Sequence, residues 1–179
     1  MALAIHNYED ANGHLPPWAV IDPKGKPLLS WRVLILPYIE QEKLYNQFHL
    51  DEPWDSPHNL PLLDQMPSTY AVRSWRVKPP PNTTYFQVFV GKGTPFEPGR
   101  IVTLNDFHRG PSETLLFVEA ANPVPWTKPE DIPYDPDAPL PQLGGVFPDI
   151  MRSATADGFR KTFKKPLDES EIRAMITID

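Results

Sequence analysis

The chain has 179 residues, 40% of them hydrophobic, and no cysteine, so it can bury a core without disulfides, and it has no thiolate metal sites or cysteine nucleophiles. A formal charge of −6 disfavours a nucleic-acid footprint, and no stretch approaches the ~18–20 apolar residues of a membrane span. Proline is heavily over-represented at 24 residues. It is interleaved with Trp, Tyr and Phe, which predicts stiff loops over a packed interior rather than disorder.

In chain order, residues 2–12 read as a helix stopped by Gly13, with Leu3, Ile5 and Tyr8 at helical spacing. No capping residue precedes them, so a longer upstream helix is expected, and an apolar one would fit. Asp22 to Gly25 is a turn. Ser30 is an N-cap for a helix from Trp31, Pro37 predicts a kink or restart near Tyr38, and Ile39–Phe48 reads as an amphipathic helix. Ser56 and Pro57 start a short helix through Leu60, Leu62 and Leu63, and Met66–Asn82 reads as an extended crossing. Thr83–Val90 and Thr114–Ala121 are strands, apolar on both faces and therefore expected to be central. Asp157 and Gly158 form a hairpin signal between strands 150–156 and 159–164, of the type in which both turn residues take positive φ. Asp168 caps a last helix to Ile178, with Glu171 as its box partner and Ile172, Met175 and Ile176 inward.

These elements add up to an α+β fold in one domain, 1–179: N-terminal helices on an antiparallel sheet of about four strands, long proline-rich loops and a short C-terminal helix. Leu34, Ile35, Tyr38, Leu44, Phe48, Phe86, Val88, Leu116, Val118 and Ile172 are the expected core. No phosphate loop or strand–helix alternation points to a nucleotide cofactor, and no other cofactor is expected.

The chemistry-bearing residues are sparse. His6, His14, His49, His58 and His108 lack the spacing of a preformed metal site, so no metal is expected. Ser112 with His108 and Glu113 lacks a nucleophile elbow and reads as a turn entering a strand, leaving no catalytic residue assigned. Glu119, a carboxylate in an apolar strand, must have a partner and reads as a structural anchor, with Arg32, Arg152, Trp126 or backbone N–H groups as candidates. Asp51, Glu52 and Asp55 could face a cation or simply cap a corner. The aromatics Trp18, Trp31, Trp54, Trp75, Trp126, Tyr38, Tyr45 and Tyr134 suit either core or a sugar or peptide cleft; Trp126, Tyr134 and Trp54 mark where a cleft would lie. Arg160, Lys161, Lys164 and Lys165 read as a solvated strand and loop.

The segments AIHNYEDANGHLPP, LSWRVLILPYIEQEKLY, DEPWDSPHN, FVEAANPVPWTKPEDIPYDP, LGGVFPD and TADG span nearly the whole chain. They resemble a bacterial family of unknown function, abundant in planctomycetes and named for prepilin-type processing and a His-x9-Asp-Gly motif. The resemblance implies a pilin-like architecture, a cell-envelope or secreted setting and contacts with other protein subunits or domains, without an established activity. One departure is plain: Phe147 stands where the motif has His, ten residues before Asp157.

Overall fold

A computed structural model describes every residue except Arg73 and Trp75, so the cleft role considered for Trp75 lies outside the described residues. Helix α1 (Ala2–Asn12) closes on Gly13, whose φ of 77° lets its N–H reach the Glu9 carbonyl at 2.7 Å. Strands β1 (Ala19–Ile21) and β2 (Pro27–Ser30) form a hairpin around the Asp22 turn, where the Asp22 carboxylate accepts the N–H groups of Lys24 and Lys26. The turn was legible in the sequence; strands this short carry no readable periodicity.

Helix α2 (Trp31–Leu34) is capped by the Ser30 hydroxyl. Pro37 then sits in a 3-10 turn, Leu36–Ile39. The continuous helix expected over 39–48 does not form: Glu40 takes φ 61°, the Gln41 N–H closes back on the Leu36 carbonyl, and helix α3 covers only Glu42–Tyr45. Beyond Ser56, the segment Leu60–Gln65 is likewise 3-10, with Pro61 in its first turn.

The main sheet is antiparallel in the order β3 (Thr83–Gln87), β5 (Leu115–Pro125), β7 (Ile150–Thr155), β8 (Arg160–Lys164). Strand β5 is internal as expected, but β3 is an edge, and the segment read as one strand divides at Val88. Its second part, β4 (Phe89–Val90), leaves the sheet and pairs in parallel with β6 (Ile132–Pro133). In β5 a bulge between Leu115 and Phe117 lets neighbouring Leu116 and Phe117 enter the same apolar cluster, which explains a strand apolar on both faces. At the β7–β8 turn Gly158 takes φ 90° while Asp157 stays at negative φ, so the hairpin is a four-residue turn ended by a left-handed glycine, not the doubly positive turn expected.

Each face of the sheet has its own cover. Alternation along β7 sends Met151 to one face and Arg152 and Ala154 to the other. Met151, Val118 and Phe163 pack with Ile172 and Ile176 at helix α4 (Glu169–Arg173). Phe117 and Ala154 pack with Ile5 of α1 and the α2 block. Asp168 caps α4 through the N–H groups of Ser170 and Glu171, but the Glu171 carboxylate turns to Lys161 at 3.5 Å instead of closing a box, and the helix stops at Arg173. Seven of the expected core residues are buried; Leu34, Tyr38 and Phe86 are half-buried.

The helical block, the sheet and the loop after β5 meet at a buried ion pair. Arg32 Nη2 donates to Asp131 Oδ1 at 2.7 Å, and both side chains are inaccessible to solvent. The same guanidinium donates to the Phe86 carbonyl at 2.6 and 3.1 Å and to Ser30 Oγ at 2.7 Å. Asp131 Oδ1 also accepts the Trp31 indole N–H at 3.3 Å and the Val88 N–H at 3.0 Å. Burial pushes the Asp131 carboxyl up, against the opposing pull of Arg32 and these donors.

Asp131→Ala is expected to cost about 3–5 kcal/mol because it strands the Arg32 charge in the interior, whereas an Arg32→Met, Asp131→Leu double variant loses far less than the sum of the singles. Urea unfolding of the three variants checks both statements, and a loss under ~1 kcal/mol for Asp131→Ala would remove the pair from its central place. Acid should also act through the caps. Hydrogen bonds from Thr103 hold Asp106 below its ordinary value, and those from Ser170 and Glu171 do the same for Asp168. Between depressed and ordinary values the unfolded chain binds more protons, so their stabilisation is complete above the ordinary carboxylate pKa of ~3.9 and is lost as pH falls below it. Melting temperature followed on acidification should drop there, less steeply for Asp168→Asn.

Candidate functional site

The strand carboxylate Glu119 is fully buried. Its Oε2 accepts the Arg152 backbone N–H at 3.0 Å, and its Oε1 accepts the Arg152 Nε–H at 2.8 Å and an Nη2–H. The geometry follows from strand pairing, since Val118 opposes Ser153 and brings the two side chains together on the face covered by α1. The guanidinium is held between two rings, 4.5 Å from the Phe147 centroid and 5.7 Å from that of Phe86. Phe147 thus lies against the arginine that neutralises Glu119. Arg152 Nη1 makes no hydrogen bond among the described residues, and the side chain is 26% exposed.

Arg152 borders a cleft of about 460 Å³ between the first turn of α1 and the sheet. Phe86, Phe117 and Ala154 form its floor; Leu3 and Arg160 stand at its sides, and no carboxylate lines it. The Phe86 and Phe117 rings meet edge to face at 5.8 Å. This is a partly apolar surface with a fixed cation, suited to an apolar group bearing negative charge. A larger cleft of about 570 Å³ lies between residues 140–145 and 165–172. Its charges are engaged within the chain: Lys165 Nζ donates to the carbonyls of Gly144 and Phe147, and Glu169 pairs with Arg173 at 2.7 Å.

Among the described residues, Trp126, Tyr134 and Trp54 do not come together as a binding cleft. Trp126 has no exposed surface: its indole N–H donates to the Leu63 carbonyl at 3.0 Å and its ring stacks on Tyr70 and meets Phe48. Burial raises the Tyr70 phenol, whose O–H donates to the Arg32 carbonyl at 2.6 Å. A ring needed to fill the interior presents no face to a ligand. Tyr134 and Trp54 are half-buried; Tyr134 packs against Phe89, and Lys128 Nζ lies 5.8 Å from the Trp54 ring. Asp157 accepts from the Thr155 hydroxyl and the Phe159 N–H, and Gly158 completes the turn beside His6.

The remaining candidates are dispersed. His108 Nε2 lies 3.9 Å from Asp179, while Ser112 and Glu113 are exposed in a 3-10 turn, and no hydrogen bond joins Ser112 to His108 among the described residues. No group of three or more His, Asp or Glu converges as a metal cage among the described residues. Two arrangements escaped the sequence reading. The His49 and His58 rings stack at 3.4 Å with 4° between planes, His49 Nδ1 contacting Glu52 at 2.9 Å, and buried Asn59 ties that corner to the carbonyls of His49, Glu52 and Pro53. Bonds from His49 and Ser56 hold the Glu52 carboxyl low, so this acid belongs to the corner's own network. Arg32 with Asp131 was the other, and the signal for it was a lone charge in the apolar run WRVLIL.

Arg152→Met is expected to cost about 3–5 kcal/mol by leaving Glu119 buried and unpaired. Phe147→Ala should cost only about 1 kcal/mol, the scale of a partly exposed cation–π contact. Guanidinium unfolding midpoints rank the two, and equal losses would show that Phe147 does more than stack.

No helix among the described residues is long and apolar enough to cross a membrane. No curated protein and no solved structure matches the chain. Residues 1–142 match the family described as protein of unknown function (DUF1559), a span well over half the sequence, and the chain belongs to that family.

Proposed function

We propose that this chain is a non-enzymatic, pilin-like structural or interaction module that works through contacts with other protein subunits in a cell-envelope or secreted setting. The observation that carries this reading is the two-sided use of α1. Ile5 is fully buried on the sheet, worth about 2 kcal/mol of transferred surface, while Leu3, two residues earlier and on the opposite side of the helix, is 70% exposed. Leu3 and Phe159, itself 74% exposed, border one shallow depression that also includes His6 and Gly158. Two large apolar side chains side by side in water mark a contact surface more than a reaction site.

The charged groups support the same reading. Arg32 with Asp131, Glu119 with Arg152, and His49 with Glu52 are tied to each other and to backbone groups, so they shape and stiffen the fold. Pilin-likeness rests on the helix laid across an antiparallel sheet.

Sedimentation velocity over a concentration series should show reversible self-association that weakens at least about tenfold in a Leu3→Asp, Phe159→Asp double variant. A monomer at every concentration, unaffected by the substitutions, would count against this contact face. Turnover of any substrate by the purified chain would end the non-enzymatic reading.

A further inference from the structure

Strand β8 is outermost in the main sheet, and only its β7 side is paired among the described residues. In an antiparallel ladder the bonded residues alternate. The Thr155 N–H donates to the Phe159 carbonyl and the Lys165 N–H to the Asp149 carbonyl, and the register runs unbroken from Ala154 opposite Arg160 to Ile150 opposite Lys164. Phe159, Lys161, Phe163 and Lys165 therefore spend their backbone groups on β7. Arg160, Thr162 and Lys164 direct theirs outward.

The side chains of those three residues are also exposed, on the face that carries Arg152 and Ala154, because directly opposed residues share a face. Among the described residues neither Arg160 nor Lys164 has an acidic partner, whereas Lys161, on the other face, pairs with Glu171. Arg160 also borders the apolar cleft over Phe117 and Ala154. A hydrogen-bonding edge unpaired among the described residues, unneutralised cations and the rim of a partly apolar cleft thus adjoin on a chain whose net charge is −6.

Basic side chains along an edge ordinarily guard it, since two such edges repel. That guard discriminates by sign. A strand bringing carboxylates would gain the backbone bonds and relieve the local positive charge together.

We infer that the β8 edge docks an extended acidic peptide segment of a partner protein, which adds as a fifth strand beside Arg160, Thr162 and Lys164. Its carboxylates face Arg160 and Lys164, and one apolar side chain packs at the rim of the cleft beside Arg160. This names a partner chemistry for the interaction-module reading and rests on it; the two surfaces adjoin at Leu3 and Gly158, but the peptide test reads backbone bonds and charge at β8 while sedimentation reads apolar contact at Leu3 and Phe159.

The probe is a capped synthetic peptide about seven residues long, a common strand length, alternating Glu with Val around a central Phe. Anisotropy titration should show it binding at least about tenfold more tightly than its Lys-for-Glu counterpart, and a version N-methylated on alternate backbone amides should lose at least about tenfold. Amide exchange at Arg160, Thr162 and Lys164 should slow on binding. Arg160→Glu with Lys164→Glu should abolish the preference for the acidic peptide. Thr162→Pro, which removes an outward N–H and leaves the β7 ladder intact, should weaken binding of the acidic peptide severalfold. If Thr162→Pro does not fold, the N-methylated peptide decides. Equal binding of the N-methylated and parent peptides would reduce the effect to charge attraction and overturn strand addition, as would unchanged amide exchange or no binding. None of these failures touches the sedimentation result.

Discussion

The structure depends on one buried charge pair. Arg32 comes from the helical block, Asp131 from the loop after β5, and two further partners, the Phe86 carbonyl and the Val88 N–H, come from the junction of β3 and β4. Three parts of the chain that are distant in sequence are thereby set in one relation. As a source of stability such a pair competes poorly with apolar packing, because removing two charges from water costs several kcal/mol each. Its effect is on which arrangement is allowed. Any packing that moved the helical block off the sheet would leave a guanidinium or a carboxylate buried alone.

The same junction explains why β3 ends where it does. Val88 gives its N–H to Asp131, so it cannot also serve the ladder with β5, and its carbonyl accepts from Ile132. The chain is thereby handed from the main sheet to the parallel β4–β6 pair. A close approach follows: a side chain at Gly91 would collide with the Tyr134 carbonyl, so glycine is needed where these segments cross. The second pair, Glu119 with Arg152, works differently. It lies at the border of the buried face, and Phe86 and Phe147 cover its cation where the α1 layer runs out.

What could be read from the residues divides along the same line between local and distant causes. Gly13, Ser30, Asp168 and the Asp157–Gly158 turn act within a few residues, so their helix ends and hairpin were legible, as was the α+β class. Glu119 was legible as needing a partner because a lone carboxylate in an apolar strand has few solutions. The break at Glu40 was not, since the helical spacing of Leu44, Tyr45 and Phe48 continues past it while the backbone reverses into positive φ. Nor was the interior position of Trp126, whose indole is satisfied by Leu63, 63 residues away. No local pattern separates a tryptophan that lines a cleft from one that fills a core.

These constraints leave little of the interior free to act. The fully buried Trp31, Trp126 and Tyr70 occupy the space a deep pocket would need, and their polar atoms are already bonded to the chain. Phe147 carries the point furthest. Its ring lies against a guanidinium whose charge Glu119 already balances, and a flat apolar ring there stiffens β7. A stiff β7 holds β8 in register, and β8 is where the sheet still has backbone donors and acceptors to offer. The exposed Leu3 and the outer strand β8 both lie at the border of the fold, and the packed interior holds them in place.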